Sequence, residues 1–181
     1  MSFITRRGFL AGATLAAGLI ARKPPARAAA GLEGLHRLTP PAALPPIRFV
    51  DAAGQTQALA AYRGRGVVLN LWATWCAPCV AELPSLAALA RAMAGTKIAV
   101  LALSSDRGGA PVVERFYAAH RITGLPVLLD PEGTVMGLLG ARGIPTTYLI
   151  TPDGTEAGWV EGAQDWAAPA AIARVKALIG G

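Results

Sequence analysis

Two cysteines, Cys76 and Cys79, are the only ones in 181 residues. They follow an apolar run, Val67-Val68-Leu69-Asn70-Leu71-Trp72, that is preceded by Gly66. A short apolar run bounded by a turn residue reads as a buried strand. A helix starting near Cys76 would put both sulfurs on one face, because residues three apart are neighbours on a helix. Strand, tight turn, cysteine and helix in that order place a thiol where free N–H groups and the positive end of the helix dipole stabilise a thiolate. A bridge over a two-residue gap closes almost no loop, so it removes little unfolded-state entropy. The spacing is poor for stabilisation and good for exchange.

The same spacing serves half of a zinc site, which needs about four ligands. The rest could come only from His36, His120 or carboxylates, and neither histidine has a partner at ligand spacing. His120 recurs at helical spacing with Val113, Phe116 and Tyr117, as a core or edge residue does. Pro78 between the cysteines and Trp75 before them fit a redox turn and have no task in a zinc knuckle. We therefore expect no metal.

The net charge of +6 misleads. Arg6, Arg7, Arg22, Lys23 and Arg27 fall within residues 1–30, which hold no acid, and the rest of the chain carries twelve bases against eleven acids. No basic surface argues for nucleic acid. Residues 1–30 read as an export signal: a basic start, an uncharged Ala/Gly-rich stretch and a small-residue exit at Ala28-Ala29-Ala30. Arg6-Arg7 before Phe9-Leu10 resembles a twin-arginine signal. The uncharged stretch is short of the ~20 residues that span a bilayer, so cleavage near Ala30 is expected over anchoring. Residues 31–44, with Pro40 and Pro41, read as a loose leader, and one domain is expected over residues 45–181.

Within that domain, Ile47 to Leu59 reads as a hairpin turning at Ala53-Gly54, and Val67–Trp72 as a central strand. A helix after Cys76 carries Leu83, Leu86, Ala90 and Met93 on one stripe and ends near Gly95. Ile98–Leu103 is a second buried strand, a helix spans Val112 to His120, and Leu125–Leu129 is a strand closed by the Asp130-Pro131-Glu132-Gly133 turn. A short helix follows around Val135–Leu139. Thr147–Ile150 and Glu156–Val160 flank Pro152-Asp153-Gly154 as a hairpin, and Ala167–Ile179 is a last helix. Strands and helices alternate first and an antiparallel hairpin comes late, which gives an α/β fold with a mixed central sheet flanked by helices.

These residues resemble the exported TlpA/ResA/CcmG-like thiol-disulfide reductases, which have a thioredoxin-like fold. The resemblance covers roughly residues 45–181. It rests on Trp72-Ala73-Thr74-Trp75-Cys76-Ala77-Pro78-Cys79, on Glu82-Leu83-Pro84, on Gly143-Ile144-Pro145-Thr146-Thr147, and on the long segment between these motifs, where the family has a strand–helix insertion. It implies a cis bond before Pro145, leaving the Ile144 backbone free to pair with an extended substrate peptide. It implies that Glu82, three residues after Cys79, takes the proton of the inner thiol. Cytoplasmic thioredoxin has a buried Asp six residues before its first cysteine, where this chain has Asn70, and an amide cannot accept that proton. Trp75 and Pro78 would shape the docking surface, Trp72 is as readily plain core, and Pro84 would bend the helix without doing chemistry.

The function expected is that of an exported, monomeric reductase needing no cofactor, with Cys76 as nucleophile and Cys79 as resolving thiol. Its substrates would be protein disulfides, apocytochrome c among them, and a membrane thiol protein would supply electrons. Two classes stay open from the sequence. One is a thiol oxidase or isomerase running the same residues the other way. The other is a copper carrier with the cysteines as ligands. Thr74 two before Cys76 does not match the spacing of a peroxidatic site.

Overall fold

The computed structural model describes residues 31–180. In chain order the strands are β1 (His36–Ala43), β2 (Arg48–Asp51), β3 (Thr56–Ala58), β4 (Gly66–Trp72), β5 (Ile98–Ser104), β6 (Leu128–Leu129), β7 (Thr146–Ile150) and β8 (Thr155–Glu161). The helices are α1 (Ala77–Ala92), α2 (Ala110–His120), α3 (Thr134–Leu138) and α4 (Pro169–Ile179). The strands form one mixed sheet in the order β1-β8-β7-β4-β5-β6-β2-β3. The export signal read over residues 1–30 lies outside the described residues.

β4 and β5 form the centre because their sequences, GVVLNLW and IAVLALS, are apolar nearly throughout, and every residue of both is buried. They run parallel, with β7 antiparallel on the other side of β4. The two-residue period of a strand sorts their side chains onto two faces. Val67, Leu69 and Leu71 join Ile47, Phe49 and Leu59 on one. Val68 and Trp72 join Leu83, Leu86 and Leu89 of α1 and Ala171, Val175 and Ile179 of α4 on the other. Asn70 falls between Val68 and Trp72, so the same alternation turns an amide toward α1. Gly66 opens β4 where a Cβ would stand 2.0 Å from the Ile179 carbonyl oxygen, so only glycine lets α4 end there.

Two expectations need correction. Residues 36–43, read as part of a loose leader, form β1, which pairs antiparallel with β8. Pro40 and Pro41 argue against a strand because proline lacks a ladder donor. β1 is an edge strand, its register shifts between Arg37 and Ala42 across those prolines, and His36 stacks on Trp159 with ring centroids 4.0 Å apart. The strand expected over Leu125–Leu129 contracts to Leu128–Leu129, since Pro126 cannot donate to a neighbour. The remaining elements stand within a few residues of their expected places. The β2–β3 hairpin turns through Gly54 at φ +77°, with Asp51 Oδ1 accepting from the Ala53 and Gln55 amides.

Candidate active site

The C-terminal end of β4 delivers the chain into a turn, and Cys76 is the N-cap of α1, with Pro78 in its first turn. The Cys79 amide donates to Cys76 Sγ at 3.3 Å, and the two cysteines are joined in a disulfide. The pair is asymmetric. Cys79 is 0% exposed and Cys76 6%, while Trp75 beside it is 71% exposed. Ala77 and Pro78 are exposed as well. Only Cys76 borders a surface a partner can reach.

The start of β7 approaches Cys76 from the other side. The Ile144–Pro145 peptide bond is cis, and the Ile144 carbonyl oxygen lies 3.6 Å from Cys76 Sγ. Thr146 Oγ1 donates to the Gly143 carbonyl at 2.7 Å and the Gly162 amide donates to the Pro145 carbonyl at 2.9 Å, which fixes the loop from both ends. Trp75, Pro78 and Ile144 therefore border one rim around Cys76, with Pro145 buried beneath it.

Glu82 lies one turn along α1 from Cys79, and the helical spacing of Cys79, Glu82, Leu83 and Leu86 puts it on the buried stripe, 3% exposed. Asn70 Nδ2 donates to Glu82 Oε1 at 2.8 Å and to Thr147 Oγ1 at 2.9 Å. The Gln164 amide and the Trp166 indole N–H donate to Oε2 at 3.0 and 3.1 Å. All three donors are neutral. Burial pushes the Glu82 carboxyl above its ordinary value, and the Gln164, Asn70 and Trp166 hydrogen bonds oppose that rise only in part. A carboxyl so held is a proton acceptor closer to neutral pH than an exposed glutamate.

A second buried carboxylate braces the turn from below. Asp106, 4% exposed, follows β5 as the cysteines follow β4. It accepts the Thr74 amide at 2.9 Å, the Thr74 hydroxyl at 2.6 Å and the Ser104 hydroxyl at 2.7 Å. Thr74 lies in the turn that follows β4 and Ser104 ends the parallel neighbour β5, so Asp106 locks the Trp72–Cys76 turn to the adjacent strand end.

Among the described residues, Cys76, Cys79, Glu82, Trp75, Pro78, Ile144 and Pro145 lie around this end of the sheet, whereas His36 and His120 do not. His36 is on the far edge strand, and His120 is exposed and stacks on Phe116. Trp72 is fully buried and stacked on Tyr117, a core residue. Pro84 is exposed on α1. Asp106, Gln164 and Trp166 escaped the sequence reading. Asp106 had a signal, its position just past the end of a buried parallel strand, where sites of open α/β sheets collect. Gln164 acts through its backbone and Trp166 across more than eighty residues, so neither had one. Among the described residues no three His, Cys, Asp or Glu side chains gather as a metal site.

The model of the AhpC/TSA family matches residues 39–155. The thiol-disulfide oxidoreductase ResA of Oceanobacillus iheyensis is 39% identical over 108 residues, 60% of this chain and 55% of that protein's own length. The chain thus matches little more than half of that relative. Among solved structures, the exposed lipoprotein thioredoxin (Etrx1) of Streptococcus pneumoniae is 28% identical, with a TM-score of 0.63 over 74% of this chain and all of that one. A thiol:disulfide interchange protein of the thioredoxin family from Chlorobium tepidum, 24% identical, superposes with a TM-score of 0.63 over 77% of this chain and 97% of its own, a likeness of fold. With its thioredoxin-like sheet and its Cys76–Cys79 pair at the head of α1, the chain belongs to the AhpC/TSA family, where it resembles the ResA-type proteins.

Proposed function

We propose that this protein is an exported thiol-disulfide oxidoreductase that works as a reductant. The observation that carries the reading is the placement of Cys76 Sγ at the head of α1, 3.6 Å from the Ile144 carbonyl in front of a cis proline. A peptide lying along the Ile144 backbone would bring its own disulfide against that sulfur.

The reaction starts from the dithiol. The Cys76 thiolate attacks one sulfur of the substrate disulfide, forming a mixed disulfide and releasing the other substrate sulfur as a thiolate that takes up a proton. Cys79 then gives its proton toward Glu82, and its thiolate attacks Cys76 Sγ. The second substrate sulfur leaves as a thiolate that takes up a proton, Glu82 gives its proton back to solvent, and the Cys76–Cys79 disulfide remains. The substrate gains two electrons and two protons, and the enzyme loses them. Cys79 is fully buried, so its proton needs an internal acceptor, and Glu82 is the buried carboxyl on the same helical stripe.

Export through Arg6-Arg7, cleavage near Ala30 and action as a monomer on apocytochrome c cysteines before haem attachment complete the proposal, with a membrane thiol protein returning electrons. Reduced protein mixed with an oxidised C-x-x-C-H apocytochrome peptide should yield two peptide thiols per enzyme disulfide formed. No peptide thiol above the level given by a Cys76→Ser variant contradicts the reading. Changing Arg6 and Arg7 to Lys keeps the charge and should stop export, and undiminished export of that variant removes the twin-arginine route.

A further inference from the structure

The segment between β8 and α4 closes over Glu82. Its Gln164 amide and its Trp166 indole N–H converge on one carboxylate oxygen, Oε2. It is fastened independently of that oxygen. Ser85 Oγ accepts from the Trp166 amide at 3.1 Å, and its hydroxyl, which donates to the Glu82 backbone carbonyl at 2.8 Å, lies 3.3 Å from the Gln164 carbonyl. The Gln164 side chain is gripped by the Glu33 backbone, accepting from its amide at 3.0 Å and donating to its carbonyl at 3.3 Å. Trp166 itself is 0% exposed, packed among the residues of the α1 and α4 face. A buried indole N–H usually finds an acceptor; that of the equally buried Trp72 has none, whereas that of Trp166 falls on the one carboxylate beside the resolving cysteine.

We propose that Trp166 is a positioning residue for Glu82, holding the carboxylate by a single indole hydrogen bond and so setting how readily it takes a proton. The inference rests on the role given to Glu82 above. Charge-assisted donors favour the ionised carboxylate, so losing this one should make Glu82 harder to ionise. The groups that hold it from the packed elements are Asn70 from the sheet, itself bonded to Thr147, and Gln164 and Trp166 from the closing segment. The ionisable neighbours are Cys79 on the same helix and the exposed Asp165 and Glu33 along the segment. In the oxidised protein the disulfide removes Cys79 from the titration, and both carboxylates at the segment stand in solvent.

The test is an NMR titration of the oxidised full domain, wild type and Trp166→Phe, reading the Glu82 side-chain carboxyl carbon and the Trp166 indole N–H. In the wild type the indole resonance should move with the same midpoint as the Glu82 carboxyl, and it should stop moving in Glu82→Gln. In Trp166→Phe the Glu82 midpoint should rise by about one pH unit, the scale of one charge-assisted hydrogen bond. The alkaline shift should reappear in the rate–pH profile of the reduced enzyme. An indole resonance that stays flat through the Glu82 titration overturns the inference, and that measurement needs no variant to fold. An unchanged midpoint in a folded Trp166→Phe overturns it as well. If the indole and the carboxyl titrate together while Glu82→Gln leaves turnover untouched, the inference stands and the proton-accepting role of Glu82 falls.

Discussion

Asn70 and Glu82 are bonded to each other at 2.8 Å, an amide of the central strand holding the carboxylate of the first helix. The second hydrogen of the same Asn70 amide goes to Thr147, two residues after the cis proline. One side chain therefore ties the helix that carries the cysteines to the strand that faces them. Asn70 thus orients the Glu82 carboxylate, the group proposed to accept the proton of Cys79.

If Glu82 accepts the proton of Cys79, Glu82→Gln should slow resolution of the mixed disulfide near neutral pH, by about 10²–10⁴-fold if it supplies full general-base catalysis. Stopped-flow thiol release measures this directly, and a rate–pH profile that overlays the wild type makes Glu82 a bystander.

The same carboxyl should mark stability. Its folded value stands above the ordinary 4.5, so the folded state holds the proton more tightly than the unfolded chain. The stability this confers is fully present below that ordinary value and is lost as pH rises through the raised one. Thermal melts of the oxidised protein should show wild type losing stability relative to Glu82→Gln across that window. Parallel curves would remove the claim that burial dominates at this site.

Asp106 predicts a different phenotype. Asp106→Ala leaves the Thr74 and Ser104 donors without their acceptor, and each buried unsatisfied group costs about 1–3 kcal/mol. Urea denaturation of the oxidised protein should show a loss of that order. A midpoint equal to the wild type would mean the turn holds without its brace.

The cysteine pair, the cis-proline loop and the two central strands were legible because local chemistry dictates them. Val67 to Trp72 can only be buried, and a C-x-x-C after it has few structural uses. Glu82 was legible as a candidate, but its burial was not. A glutamate on a helix is by default solvated, and what buries this one is Trp166 and Gln164, four strands and two helices later in the chain. β1 was missed for the opposite reason: its local signals, Pro40 and Pro41, speak against a strand, and only the exposed edge of β8 makes a place for it. Asp106 lay in plain sight at a strand end, and its meaning depends on Thr74 in the turn after the neighbouring strand.

Division of labour between the thiols follows from their exposure. Cys79→Ser should leave Cys76 able to attack and unable to be displaced, so mixed disulfides with partner proteins should accumulate on non-reducing gels. Cys76→Ser should trap none. The reverse pattern would exchange the two roles.

In the proposed function this site gives electrons. A helix N-terminus and its dipole favour an anion by about 0.3–1 kcal/mol, which is less than one pKa unit at about 1.4 kcal/mol each. No Lys, Arg or His lies between Arg65 and Arg91 to add local positive charge, and every hydrogen bond to Glu82 comes from a neutral donor. Nothing in this stretch supplies the local positive charge that makes the thiol of a strong oxidase very acidic. Equilibration of the Cys76–Cys79 couple with defined glutathione buffers, read by thiol trapping, gives the reduction potential. We expect a value near the roughly −270 mV of a reducing thioredoxin, and a value above about −180 mV, in the range of isomerases and oxidases, contradicts the account.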